Sequence, residues 1–170
     1  MTAAAAGSTQ LSLEQLSPSS RVWVFGSSGP LDAGQERDVE AGLREFLRSW
    51  KAHGQPLRAA VEIREHRFVI VAADDGAEPS GCSIDSLFGR LSSFQKLGAT
   101  LLDATLVFYR TNEGEVRSVD RASFRQLAGA GEINGRTRVF DLTLETLADL
   151  SSGLEKDASA SWHGQAFGLS

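Results

Sequence analysis

The chain has 170 residues and a net charge of −5. Its hydrophobic content of 41% is enough to bury a core in one domain, with or without an appended subdomain. The acidic balance argues against a broad nucleic-acid or anionic-membrane surface. The single cysteine excludes an internal disulfide framework and fits a reducing compartment.

The pattern at the N-terminus is not the one expected of a targeting signal. Met1 to Gln10 contain neither a basic segment nor a useful apolar segment, so a signal peptide is not expected. The longest apolar run, Phe68–Ala73, is far too short to span a membrane. We therefore expect a cytoplasmic protein that begins with a flexible tail over residues 1–18.

The first predicted elements are a strand and a helix. Arg21–Phe25 is apolar on both faces, which is typical of a strand in the centre of a sheet. Asp32 is a predicted N-cap, and we expect the helix to place His53 in its last turn and to stop at Gly54. The apolar stripe of this helix comprises Val39, Leu43, Phe46, Leu47 and Trp50.

Two strands of different character follow. Residues 57–63 alternate between apolar and polar side chains, as in an edge strand with one wet face. Phe68–Ala73 is apolar on both faces and is predicted to be central.

A second helix and a hairpin come next. The spacing of apolar residues over 84–94 predicts a helix that ends at Gly98. Residues 101–110 form a fourth predicted strand, and Asn112–Gly114 turn the chain into a fifth over 115–119.

This order of elements, β-α-β-β-α-β-β, predicts an α+β fold with a ferredoxin-like antiparallel sheet over residues 19–119. We expect the strand order 2-3-1-4-5, with the first and third strands central. Within the first strand, Trp23 and Phe25 should lie on the face opposite to Val22 and Val24.

The C-terminal third is predicted to be a small α/β addition. Residues 120–150 read as helix, strand and helix, and residues 151–161 as a small, polar loop. The chain then ends on an aromatic tail that includes Trp162 and Phe167. We expect this tail, within 151–170, to dock on the core, because large apolar side chains gain about 1.5–3 kcal/mol each on full burial.

The stretch around Cys82 is the most informative local feature. It opens the second predicted helix, and a thiolate is stabilised at a helix N-terminus. Gly81, Cys82 and Ser83 are therefore candidate ligand-binding residues. A catalytic Cys82 would need a base, for which His53 or His163 is a candidate, and Asp85 could orient that base. We expect instead that Cys82 packs under the helix and reacts slowly.

Other chemistry has weaker support. No Gly-Lys-Ser/Thr loop is present, so we expect no ATP hydrolysis. No pair of histidines has the spacing of a zinc site, and we expect neither a metal nor a cofactor. A composite metal site from His53, Cys82 and His163 stays open, because distant residues can converge.

Three blocks of the chain, Ser20–Phe25, Gly81–Asp85 and Ser161–His163, belong to a pattern that spans roughly residues 11–167. This pattern resembles one family of short, uncharacterised bacterial proteins, many of them labelled "ABC transporter ATPase". It implies a family name and no established activity, and the label conflicts with the missing P-loop. A shorter stretch over residues 124–139 is similar to part of GYF-type domains, which implies an interaction module.

These observations favour a non-catalytic cytoplasmic binding or interaction protein, whose ligand or partner the sequence does not identify. A thiol-dependent enzyme using Cys82 is the alternative, and an ATPase is the least favoured function. We expect no nucleic-acid partner and no membrane partner.

Overall fold

A computed structural model describes residues 11–170, so the first ten residues of the predicted N-terminal tail lie outside the described part of the chain. The helices are α1 (Ala33–Arg48), α2 (Gly81–Ser93), α3 (Arg121–Gly129), α4 (Leu147–Ser152) and α5 (Trp162–Phe167). The strands are β1 (Arg21–Gly26), β2 (Lys51–Ala52), β3 (Gln55–Pro56), β4 (Ala59–Arg64), β5 (Phe68–Ala73), β6 (Leu106–Arg110), β7 (Val116–Asp120), β8 (Arg138–Phe140) and β9 (Glu155–Asp157).

The strands form antiparallel sheets, and the fold is α+β. The first sheet has the order β1-β5-β4, and β5 lies at its centre with every residue buried. This confirms that Phe68–Ala73 is central and that residues 59–64 form an edge strand. The second sheet has the order β7-β6-β8-β9, and β2 and β3 form a separate two-stranded hairpin.

The two larger sheets pack face to face, with helices outside them. One face of the first sheet is covered by α1 and α2, whose buried residues share a core cluster with Phe25 and Val69. The other face contributes Val22 and Val24 to a core with Phe108 of the second sheet. The predicted division of β1 into two faces is confirmed. The far face of the second sheet is covered by α3 and α5, which gives four layers in the order α-β-β-α.

A single five-stranded sheet is not formed, and a ferredoxin-like topology is not confirmed. β1 lies at the edge of its sheet, so its predicted central position is wrong. The fourth strand begins at Leu106 and not at residue 101, because Asp103 accepts hydrogen bonds from the backbone and side chain of Thr105 and turns the chain there. β6 therefore pairs with β7 and β8 and does not pair with β1.

The first helix is shorter than predicted. α1 ends at Arg48, and His53 lies in the turn of the β2–β3 hairpin and not in a helical turn. His53 and Gly54 have φ values of 52° and 77°, as a tight two-residue hairpin turn requires. Trp50 also lies beyond the helix, where it is buried and its indole Nε1 donates to the Ser83 carbonyl at 2.8 Å.

Two segments predicted to be irregular are ordered. Leu13 and Leu16 are buried in the core between the sheets, so residues 11–18 are not a free tail. Residues 151–161 contain β9, which pairs with β8, and the predicted loop there is wrong. The polar sequence of β9 does not predict a strand, because an edge strand of three residues needs no apolar run.

Candidate functional site

A cavity of about 680 Å³ runs along the outer edge of β1. We call it the β1 cavity. Its walls are β1 itself, residues 101–108, residues 142–146, and the pair Trp162–His163 of α5. This volume lies within the range of small-molecule sites in proteins, about 300–1,000 Å³. The cavity exists because β6 joins the second sheet and leaves β1 without a neighbouring strand over part of its length.

The edge of β1 is paired at both ends and open in the middle. At one end, the Val22 N–H donates to the Glu145 carbonyl at 2.9 Å. At the other end, the Ser28 N–H donates to the Thr100 carbonyl at 3.2 Å. Backbone groups alternate in direction along an antiparallel strand, so the Val24 N–H and C=O point to the same edge as the Val22 N–H. Neither Val24 group has a hydrogen-bond partner among the described residues.

The lining of the cavity is mainly apolar, and apolar side chains also stand at its mouth. Phe108 and Phe140 contribute from the second sheet. Phe88 and Leu102 are 39% and 37% exposed, which makes them two of the three large apolar side chains that the described residues leave exposed. The third, Leu97, does not line this cavity. Exposed apolar side chains at the mouth of a cavity are typical of a binding site.

One wall carries two ring nitrogens without partners. The Trp162 and His163 rings stack with centroids 3.9 Å apart, and the Arg121 guanidinium lies 5.4 Å from the centroid of the Trp162 ring. Trp162 Nε1 and His163 Nε2 are both buried, with almost no surface open to the cavity, and neither has a hydrogen-bond partner among residues 11–170. Buried polar groups in native proteins usually have such partners, so these two nitrogens are exceptions in the packing behind this wall.

His163 is an uncharged group at physiological pH. Its side chain is only 1% exposed, and burial lowers its pKa to about 4. The nearby Asp141 carboxylate raises this pKa, whereas Arg121 and Lys156 lower it. His163 Nδ1 lies 2.8 Å from the Ser161 hydroxyl, which is its hydrogen-bond partner.

Charges of both signs surround the mouth. Arg21 and Arg121 line the cavity together with Asp103 and Glu145, and all four are exposed. Opposite charges in equal number give the mouth no strong preference for an anion or a cation. Selection by this cavity would therefore depend on shape, apolar contact and hydrogen bonds.

The predicted catalytic residues are not joined into a unit. Cys82 is exposed on the first turn of α2, and Asp85 is exposed on the same helix. His53 is exposed in the β2–β3 turn, whereas His163 lines the β1 cavity. No hydrogen bond or ion pair links the side chains of these four residues in the part of the chain that the structure describes. Thiol chemistry at Cys82 stays a prediction.

The expectation that Cys82 packs under the helix is wrong. The buried positions of α2 are Ser83, Leu87 and Leu91, four residues apart, and Cys82 is one residue away from this stripe. The backbone amide of Ser83 donates to the Ser80 hydroxyl at 3.1 Å, so one first-turn donor of the predicted Gly81–Ser83 ligand site is already used as a helix cap.

The chain was also compared with known proteins. No family model, no curated protein and no solved structure matches it. The resemblance to the bacterial family therefore stays a prediction. Residues 11–170 contain no group of three or more His, Cys, Asp and Glu side chains able to hold a metal ion. In the same range, no helix is both long and apolar enough to cross a bilayer.

Most residues of the β1 cavity are not predicted by sequence patterns. Trp162 and His163 are the exceptions, whereas Val24 was expected inside a central strand and Leu102 in the fourth strand. The sequence does contain one indication of the free edge of β1, because Asp103 and Thr105 interrupt the apolar run after Leu101 and Leu102. That interruption marks where the fourth strand leaves the edge of β1 free.

Proposed function

We propose that this protein is a non-catalytic binding protein and that its ligand occupies the β1 cavity. The observation that carries the proposal is a 680 Å³ cavity with a mainly apolar lining and an open strand edge in its wall. Apolar walls supply affinity in proportion to the area that a ligand removes from water, and a few polar groups set its orientation.

The surrounding residues support binding more than chemistry. His163, the only predicted catalytic residue in the cavity, is buried and uncharged near neutral pH, and within residues 11–170 the Ser161 hydroxyl at its Nδ1 is the one nucleophile hydrogen-bonded to it. The exposed Phe88 and Leu102 at the mouth favour entry of an apolar group.

The test uses the fluorescent, apolar dye anilinonaphthalene sulfonate with the full-length protein. We expect saturable binding with one site, and a Leu102→Glu variant should bind at least about tenfold more weakly, because the carboxylate opposes burial of the apolar rings and repels the sulfonate of the dye. Leu97→Glu is the matched control with the same change in net charge, since Leu97 is a similarly exposed leucine, at 42%, outside the cavity.

Near-ultraviolet circular dichroism of each variant shows whether the fold is intact. Equal dye binding by Leu102→Glu, Leu97→Glu and the wild type would place the dye elsewhere and remove the basis of the proposal. A cytoplasmic location belongs to the same proposal, and the exposed, unpaired Cys82 supports it because such a thiol persists in a reducing compartment.

A further inference from the structure

We infer that the ligand of the β1 cavity is a short peptide in an extended conformation that pairs with the open edge at Val24. This inference rests on the proposed function and names the ligand class. In strand addition, the backbone of the ligand supplies the hydrogen bonds that a missing neighbouring strand would supply. Val24 presents both halves of such a pair, an N–H donor and a C=O acceptor, on the cavity side of β1.

The ends of the opening limit the length of the peptide. Residues 145–147 pair with Ser20 and Val22 on one side, in an antiparallel arrangement, and Thr100 bonds Ser28 on the other. Val22 and Ser28 are six residues apart, which is at most about 20 Å in an extended strand. A segment of about four residues fits between these contacts, whereas a long strand would collide with them.

The hydrogen bonds that hold β1 in its sheet do not involve the open edge at Val24, so the fold does not need that edge to be paired. Trp23 and Phe25 are the residues of β1 whose backbone groups face β5, and Ser27 continues this alternation by donating to the Arg67 carbonyl at 2.8 Å. The Val24 groups take no part in that pairing. A buried, unpaired backbone group costs about 1–3 kcal/mol, so a ligand that satisfies both Val24 groups gains affinity and orientation from them.

The side chains around the opening suit a peptide of mixed character. Phe88 and Leu102 offer apolar contacts for alternate side chains on one side of the strand. The stacked rings of Trp162 and His163 form an aromatic surface at the far wall for a further side chain.

The experiment compares two blocked tetrapeptides on the wild-type protein by nuclear magnetic resonance. The first is acetyl-Thr-Val-Thr-Leu-amide, and the second has the same sequence with its backbone nitrogens methylated. We expect the first to bind and the second to bind at least about tenfold more weakly, because methylation removes the donors to the Val24 carbonyl. Amide exchange at Val24 should slow on binding of the first peptide.

Variants of Val24 give the matched protein-side test. Val24→Pro removes an N–H that the fold does not use, which is the position where an edge strand tolerates proline. Val24→Ala shortens the side chain and keeps the N–H. We expect proline to abolish peptide binding and alanine to retain it within about threefold. If the proline variant does not fold, slowed exchange at Val24 in the wild type carries the test.

The outcomes separate this inference from the proposed function. Equal binding of both peptides, or no peptide binding while the dye still binds in a Leu102-dependent manner, would overturn strand addition and leave the cavity as a small-molecule site. If dye binding does not depend on Leu102 but the first peptide still slows amide exchange at Val24, the apolar-cavity proposal is removed. The inference that a peptide pairs with the strand edge is then kept.

Discussion

Acidification should destabilise this protein through His163. The imidazole is buried in α5, stacked on Trp162 and packed 6.0 Å from the ring of Phe124, so a proton on it would place a charge in an apolar layer. Its pKa in the folded protein is about 4, against about 6.5 in the unfolded chain. As the pH falls below 6.5, the unfolded chain takes up a proton that the folded protein does not, and unfolding becomes more favourable.

The size of the effect follows from these two pKa values. The pKa difference of about 2.5 lowers the free energy of unfolding by roughly 3 kcal/mol once the pH falls below 4, and by about 2 kcal/mol at pH 5. The carboxylates with lowered pKa, such as Asp141 and Glu155, begin to lose their contribution as the pH falls through their ordinary pKa values of 3.8 and 4.5, so most of that loss lies below pH 5. His66 acts in the opposite direction, because its hydrogen bond to Glu36 raises its pKa, but it is exposed and the pair is screened by solvent.

Urea unfolding at pH 7, 6 and 5, followed by circular dichroism, measures this dependence. The matched variant is His163→Phe, which keeps an aromatic ring against Trp162 and cannot be protonated. The free energy of unfolding of the wild type should fall by about 2 kcal/mol between pH 7 and 5. The decrease for the variant should be smaller by at least about 1.5 kcal/mol. Parallel pH profiles for the two proteins, or a measured pKa near 6.5 for His163, would refute the reasoning.

Three further predictions concern other parts of the fold. Arg67 is buried and donates to the carbonyls of the Ser27–Ser28 turn and to β7, so Arg67→Met should lower the free energy of unfolding by about 3 kcal/mol, measured in urea. Gly26→Ala would place a Cβ 2.3 Å from the Phe108 ring and should lower the free energy of unfolding by about 1–3 kcal/mol. Adding Phe108→Leu should recover part of that loss, whereas simple addition of the two destabilising effects would contradict the contact. Cys82 is exposed, so iodoacetamide should label it in the native protein at a rate within a few-fold of that in the unfolded chain. Mass spectrometry measures both rates, and a far slower rate in the native protein would contradict the exposed position of Cys82.

Local periodicity accounts for what the sequence predicted well. The stripe of Val39, Leu43 and Leu47 marks the buried face of α1, and the apolar run of β5 marks a strand covered on both faces. Such patterns depend on neighbours within one or two turns, and the same side chains then enter the core that they predict. The Asp32 cap of α1 is equally local, since it is made with the amide of Gln35.

Pairing between distant segments was not determined by these patterns. A strand that is apolar on both faces, such as β1, can lie at the centre of one sheet or at the edge of a sheet that a second sheet covers, and both arrangements bury the same side chains. The Asp103–Thr105 turn and the pairing of β6 with β8 decide between them.

The period of apolar residues along short segments was enough to predict the α+β class, the two main helices, the central position of β5 and the two faces of β1. The free edge of β1, the exposure of Cys82 and the place of His163 in the wall of a cavity became visible only in the folded arrangement of the chain. These three features depend on segments that are far apart in the chain, such as β1 and α5, which line the same cavity, and a local pattern carries no information about which distant segment will lie beside it.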